Sequence, residues 1–127
     1  MANELTLGVK ATYAKSGTSL VFPDLAKQTL NVTISGTRFF LNRQTIGFAA
    51  WEALILGDLA AGGYCYIVNR DSTNYVLVKD GSAEGDNSLI RLNAGDIAIF
   101  RLSPAATIPS VKADTANVEI EYLLLQD

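Results

Sequence analysis

The sequence predicts an all-β fold, an antiparallel β-sandwich of jelly-roll-like type with about eight to ten short strands. Three observations predict it. Residues 4–13 and 117–125 alternate apolar and polar side chains with period two, the signature of a strand with one buried face. Residues 64–68, 75–79 and 97–102 are short apolar runs rich in Val, Ile, Tyr and Phe, which suit a pleated, half-buried surface. Asn, Asp, Gly and Ser clusters separate these runs, and such residues make turns through left-handed backbone tolerance and local side-chain hydrogen bonds.

In chain order, Leu5, Leu7, Val9, Ala11 and Tyr13 share one side of a first strand, and Lys15-Ser16-Gly17-Thr18 turns the chain. Ser19–Phe22 is a short strand stopped by Pro23, since proline cannot donate to a ladder. Leu30, Val32 and Ile34 mark another one-sided strand, broken at Gly36. Residues 37–48 read as one strand with an irregularity near Asn42-Arg43, or as two short ones. Residues 49–56 are rich in Ala and Leu but too short for an ordinary helix, so they read as a strand. Residues 63–102 read as an antiparallel meander of three strong runs and a weaker one at 88–92. A proline-punctuated loop at 103–110 and an approach at 111–116 lead to the last strand. There Val118, Ile120, Tyr122 and Leu124 oppose Asn117, Glu119, Glu121, Leu123 and Leu125. That second face turns leucine-rich at its end, so either a subunit or a loop of the same chain covers Leu123 and Leu125.

A chain of 127 residues reads as one domain, residues 1–127, with residues 1–4 as an extended amino-terminal arm. Hydrophobic residues make up 49% and charged residues 18%, where about a quarter charged is usual. A small domain short of charge is expected to bury surface against a partner or its own copies. The net charge of −3 supplies no basic footprint, so nucleic acid is not an expected partner. No apolar run approaches the roughly 18–20 residues that span a bilayer, so no membrane is expected either. Met1-Ala2-Asn3-Glu4 runs straight into a strand pattern, which reads as no signal peptide.

Site chemistry is sparse. There is no histidine, which removes His-activated nucleophiles and the usual zinc sets; no catalytic residue, metal or cofactor is expected. Cys65 lies within an apolar run and reads as a small buried side chain. The loop Asp80–Asn87 holds three carboxylates, but its EF-hand position twelve falls on Arg91, so a solvated hairpin is favoured over a calcium loop. Glu119 and Glu121 have the makings of an acid pair for sugar hydrolysis, though alternating glutamates more simply form a wet strand face. Phe39 and Phe40 must point to opposite sides of a strand, and Trp51 is the other large aromatic candidate. Phe39, Phe40, Trp51, Leu123 and Leu125 are therefore the expected interface residues.

Four stretches also resemble a known group. They are Tyr66–Val78 with its Asn69-Arg70-Asp71-Ser72-Thr73-Asn74 centre, Leu92–Leu102 with its Gly95-Asp96 turn, Lys112–Ala116, and the ending Glu121–Asp127. This pattern, over residues 64–127, resembles small virion structural proteins of tailed bacteriophages. The resemblance implies a non-enzymatic protein of the virion, assembled in the host cytoplasm. It implies a capsid decoration or cement protein that binds the major capsid protein on the outer head surface, as a homotrimer. A receptor- or glycan-binding module of a fibre or tail, with Trp51 as platform, is the alternative.

Overall fold

The computed structural model describes residues 4–8, 10–15, 18–22, 29–33, 38–81, 85, 87–103 and 108–126. Its contacts fall into two compact units, Met1–Ser35 and Gly36–Asp127, where length predicted one domain; each is described by itself. Of the expected arm, residues 1–3 lie outside the described residues and Glu4 begins the first strand.

In the first unit, β1 (Glu4–Gly8) pairs antiparallel with β4 (Thr29–Thr33), and β2 (Ala11–Lys15) with β3 (Thr18–Phe22). The alternation at 4–13 is thus two strands rather than one. The expected connection at 24–28 and the break at Gly36 lie outside the described residues.

The second unit holds β5 (Phe39–Ile46), β6 (Glu52–Ala53), β7 (Tyr64–Asn69), β8 (Val76–Lys79), β9 (Ile90–Leu92), β10 (Ile97–Arg101), β11 (Ser110–Ala113) and β12 (Val118–Leu125). They form two four-stranded antiparallel sheets, ordered β10-β7-β12-β5 and β6-β11-β8-β9. Ile46, Cys65, Ile67, Val118, Ile120, Tyr122 and Leu124 from the first sheet meet Val76, Val78, Leu92, Val111 and Ala113 from the second in one buried cluster, with Leu54 and Leu59. This is the antiparallel, sandwich-like all-β fold the alternation predicts. Among the described residues, twelve strands exceed the expected number because residues 4–13 divide and the approach at 111–116 holds a strand of its own.

Pairing corrects the meander. β7 pairs with β10 and β12, whereas β8 pairs with β9 and β11. The chain crosses to the second sheet after Asn69, makes the β8–β9 hairpin, and crosses back at Asn93-Ala94-Gly95-Asp96. Gly95 takes φ 81° there, a conformation that favours glycine. β5 carries no irregularity at Asn42-Arg43, because its eight residues pair one to one with β12. Residues 49–56 are a strand only at β6; Glu52 turns back so that its carboxylate accepts the Gly47 amide at 2.7 Å. The approach at 111–116 is itself a strand, β11, which gains pairing partners in both β6 and β8.

Asn69 holds the crossing together. It is fully buried. Its Nδ2 donates to the carbonyls of Asn74 at 2.9 Å and Leu92 at 3.0 Å, and its Oδ1 accepts the Asp71 amide at 2.9 Å. Its backbone amide donates to the Asp96 carbonyl, and its carbonyl accepts the Gly95 amide. One side chain thereby ties the β7–β8 loop to the β9–β10 turn. Asp71 caps the same loop, accepting the amides of Thr73 and Asn74 at 2.7 and 2.6 Å. Those amides hold its carboxyl below the ordinary value. The most distinctive segment of the sequence is therefore a fastener of the fold.

Candidate functional site on the outer face of the β10-β7-β12-β5 sheet

Antiparallel register sets which side chains share a face, because residues directly opposite point the same way. Leu125 lies between Phe39 and Tyr64, and Tyr64 lies opposite Arg101. One step along, Leu123 lies between Leu41 and Tyr66, with Ile99 beyond. The next row is Arg43, Glu121, Val68 and Ile97. The face opposite the core is thus apolar over three of the four positions in the first row, the whole of the second and half of the third.

Its exposure is high for such residues. Phe39 is 68% exposed, Leu41 60% and Ile97 53%; Leu123, Leu125, Tyr64, Tyr66 and Ile99 are half-buried. β5 shows most clearly what this means. Its core-facing positions are Phe40, Asn42, Gln44 and Ile46, while Phe39 and Leu41 point outward. Two amides face in and two large apolar side chains face out. The amides are accommodated by Tyr122 and by the 53–55 backbone, through Asn42 Nδ2 to Tyr122 Oη at 3.1 Å and Gln44 Nε2 to the Ala53 carbonyl at 3.1 Å. Each face of β5 therefore carries two large apolar side chains, Phe40 and Ile46 inward and Phe39 and Leu41 outward, which is more apolar surface than one core needs.

The far end of the face is charged and internally balanced. Arg43 Nη1 lies 3.3 Å from Glu119, Arg43 Nε 3.2 Å from Glu121, and Arg70 Nη2 3.0 Å from the same Glu121 oxygen. The two glutamates considered as an acid pair are thus both held by arginines. These exposed pairs contribute little stability, but they leave the end with both signs and no net charge. At the apolar end the Arg101 guanidinium lies 5.8 Å from the Tyr64 ring centre, a cation–π arrangement.

The sheet gathers three of the five expected interface residues: Phe39, Leu123 and Leu125. Phe40 points to the core, tilted against Tyr122 at a ring separation of 6.4 Å, and a side chain on Gly57 would collide with its ring. Trp51 precedes β6 in the other sheet, half-buried, with the Lys79 ammonium 4.6 Å from its ring centre. That cation occupies one face of the ring considered as a glycan platform. The sequence reading missed Leu41, Tyr64, Tyr66, Ile97 and Ile99. The signal for Tyr64 and Tyr66 was the unbroken apolar run at 64–68, since a strand apolar on both parities is one covered on both faces.

The other candidates lie elsewhere. Among the described residues no three His, Cys, Asp or Glu side chains gather to hold a metal. In the loop considered for calcium, residues 82–84 and 86 lie outside the described residues, and Lys79 Nζ donates to the Gly85 carbonyl at 2.6 Å. Among the described residues no helix is long and apolar enough to cross a membrane.

Cys65 is fully buried, and burial pushes its thiol up to about 12 from 9.0. A thiol is nucleophilic only as thiolate. Disulfide reagents at mildly alkaline pH should therefore leave the folded protein unlabelled and titrate one thiol per chain in guanidinium. Rapid labelling without denaturant would show that β7 opens readily. No protein-family model, curated protein or solved structure matches the chain.

Proposed function

We propose that this protein is a non-enzymatic structural component of a tailed-phage virion, a decoration protein that binds the outer surface of the head and stabilises the shell. The observation that carries the assembly part of this reading, a chain built to be covered by a macromolecular neighbour, is the outward exposure of Phe39 and Leu41 on β5; attachment to the head is what the resemblance implies. Phe39 and Leu41 stand exposed in register with Leu123, Leu125, Tyr64, Tyr66 and Ile99. An apolar patch of that continuity marks a surface made to be covered by a macromolecule. The resemblance of residues 64–127 to small phage virion proteins supplies the setting, and the major capsid protein is the partner it implies. The low charged fraction of 18% fits a molecule that works packed among neighbours.

The test is direct. The purified chain is mixed with expanded, undecorated heads and sedimented, and the melting of the heads is followed with and without it. Saturable co-sedimentation with an upward shift of shell melting is the expected result. Absence from the head pellet at any ratio would end the reading.

A further inference from the structure

We propose that the outer face of the β10-β7-β12-β5 sheet is occupied by a second copy of this chain. The two copies are related by a two-fold axis parallel to the strands, passing between β12 and β7. The inference rests on reading the chain as an assembly protein and names the neighbour that covers this face; the head then meets a different surface.

Size and charge argue for it together. Four strands about 4.8 Å apart, and four rows about 6.7 Å apart, give a face of roughly 500 Å² in projection. The apolar rows alone make up about half of that. A stable interface buries about 800 Å² of accessible surface on each partner. Corrugated side chains bring the whole face near that figure, but the apolar half falls short. The occupant must therefore cover the charged end as well. That end carries Arg43 and Arg70 against Glu119 and Glu121, so a partner patch of one sign would meet two like charges at close range. A copy of the same face carries both signs in equal number.

The register says which copy-to-copy arrangement lays fewer charges on apolar side chains. Along the strands only Arg43 and Glu121 do so, over the partner copy's Ile97 and Val68, and the two keep their own ion pair. An axis along the strands keeps the apolar end over the apolar end and exchanges β5 with β10 and β12 with β7. Leu41 then lies over the partner copy's Ile99, Leu123 over its Tyr66, and Leu125 over its Tyr64. Phe39 lies over Arg101, a cation on an aromatic face. Arg70, whose amide donates to the Glu119 carbonyl, sits level with Glu119 on the neighbouring strand, so the exchange sets each Glu119 against the partner copy's Arg70. An axis across the strands at the middle of the face would instead lay all four charged side chains, Arg43, Arg70, Glu119 and Glu121, on the apolar rows and desolvate them there. An isologous pair of this kind is the commonest symmetry of soluble oligomers.

Sedimentation of the full chain is expected to give the mass of two copies, in place of the three that the resemblance implies. Leu41→Glu is expected to weaken the pair by about tenfold or more with unchanged thermal unfolding of the single chain, since Leu41 is 60% exposed. Phe39 and Arg101 lie on opposite edges of one sheet, about 14 Å apart by strand spacing. Phe39→Ala and Arg101→Ala should nonetheless be non-additive in the dissociation constant, because the pairing stacks them across the interface. A single-copy mass, a three-copy mass, or additive Phe39 and Arg101 effects would each overturn the proposal. A monomer that still binds heads would overturn the pairing and leave the proposed function standing. A pair that ignores heads would sustain the pairing and remove the function.

Discussion

Asn69→Leu is expected to cost about 3–5 kcal/mol of unfolding free energy, out of a total of roughly 5–15 for a domain this size. The substitution keeps volume and burial but removes three hydrogen bonds, to the Asn74 carbonyl, the Leu92 carbonyl and the Asp71 amide. Each is worth about 1 kcal/mol net, and a buried group left unpaired costs more than the bond was worth. The site itself is fully buried, so water cannot take over there without opening the loop. The loss also reaches between sheets, because Asn74 leads into β8 and Leu92 ends β9 while Asn69 ends β7. Urea unfolding of this variant should show a clearly lower midpoint with the slope retained. Exposed Asn93→Ala in the same turn, as a control, is expected to cost under about 1 kcal/mol. If Asn69→Leu costs no more than that control, the two loops are not coupled through this side chain.

That side chain also shows where sequence reasoning stopped. Asn69, Asp71 and Asn74 were legible as turn residues from their types. The facing of strands was legible as well: Val118, Ile120, Tyr122 and Leu124 are all fully buried, as alternation requires, and Phe39 and Phe40 do part to opposite sides. Alternation reports which side a residue faces, however, and not which strand lies beside it. Two apolar runs joined by six turn residues look like a hairpin whether the chain reverses within one sheet or crosses to another. What decides here is the buried Asn69 amide, which satisfies carbonyls 5 and 23 residues away, and no local pattern announces that. The candidate face was half legible for the same reason. Leu123 and Leu125 stood out on their own strand, but Leu41, Tyr66 and Ile99 join them only through register. β5 misled more actively. Its Asn42-Arg43 pair suggested an irregularity, because polar residues in mid-strand ordinarily mean a broken pattern. Here Asn42 reaches Tyr122, the next inward residue Gln44 reaches the 53–55 backbone, and Arg43 pairs with Glu119 and Glu121 on the outer face.

Tyr122→Ala is expected to be as damaging, at about 3–5 kcal/mol. Tyr122 is the largest fully buried side chain of the described residues. Its ring packs against Phe40, and its hydroxyl donates to the Ile55 carbonyl at 2.8 Å while accepting from Asn42 Nδ2 at 3.1 Å. Tyr122→Phe separates the two contributions: it keeps the ring and should cost only about 1–2 kcal/mol, the worth of an orphaned acceptor and donor. The hydroxyl also has a pH signature. Burial raises its pKa above 10.0, with the Cys65 thiol adding in the same direction. A group whose folded pKa is raised gives its full stabilisation below the unfolded value and loses it as pH climbs past that value. For Tyr122 the loss begins above 10; for Cys65, raised to about 12, it begins above 9.0. Unfolding free energy should therefore decline on the alkaline side from about pH 9 upward. Tyr122→Phe should flatten the part of that decline lying above pH 10 and leave the thiol's part in place. An unchanged alkaline slope in Tyr122→Phe would mean that the hydroxyl reaches solvent in the folded state, and the Ile55 and Asn42 hydrogen bonds would then not be what keeps β5's inward amides in the core.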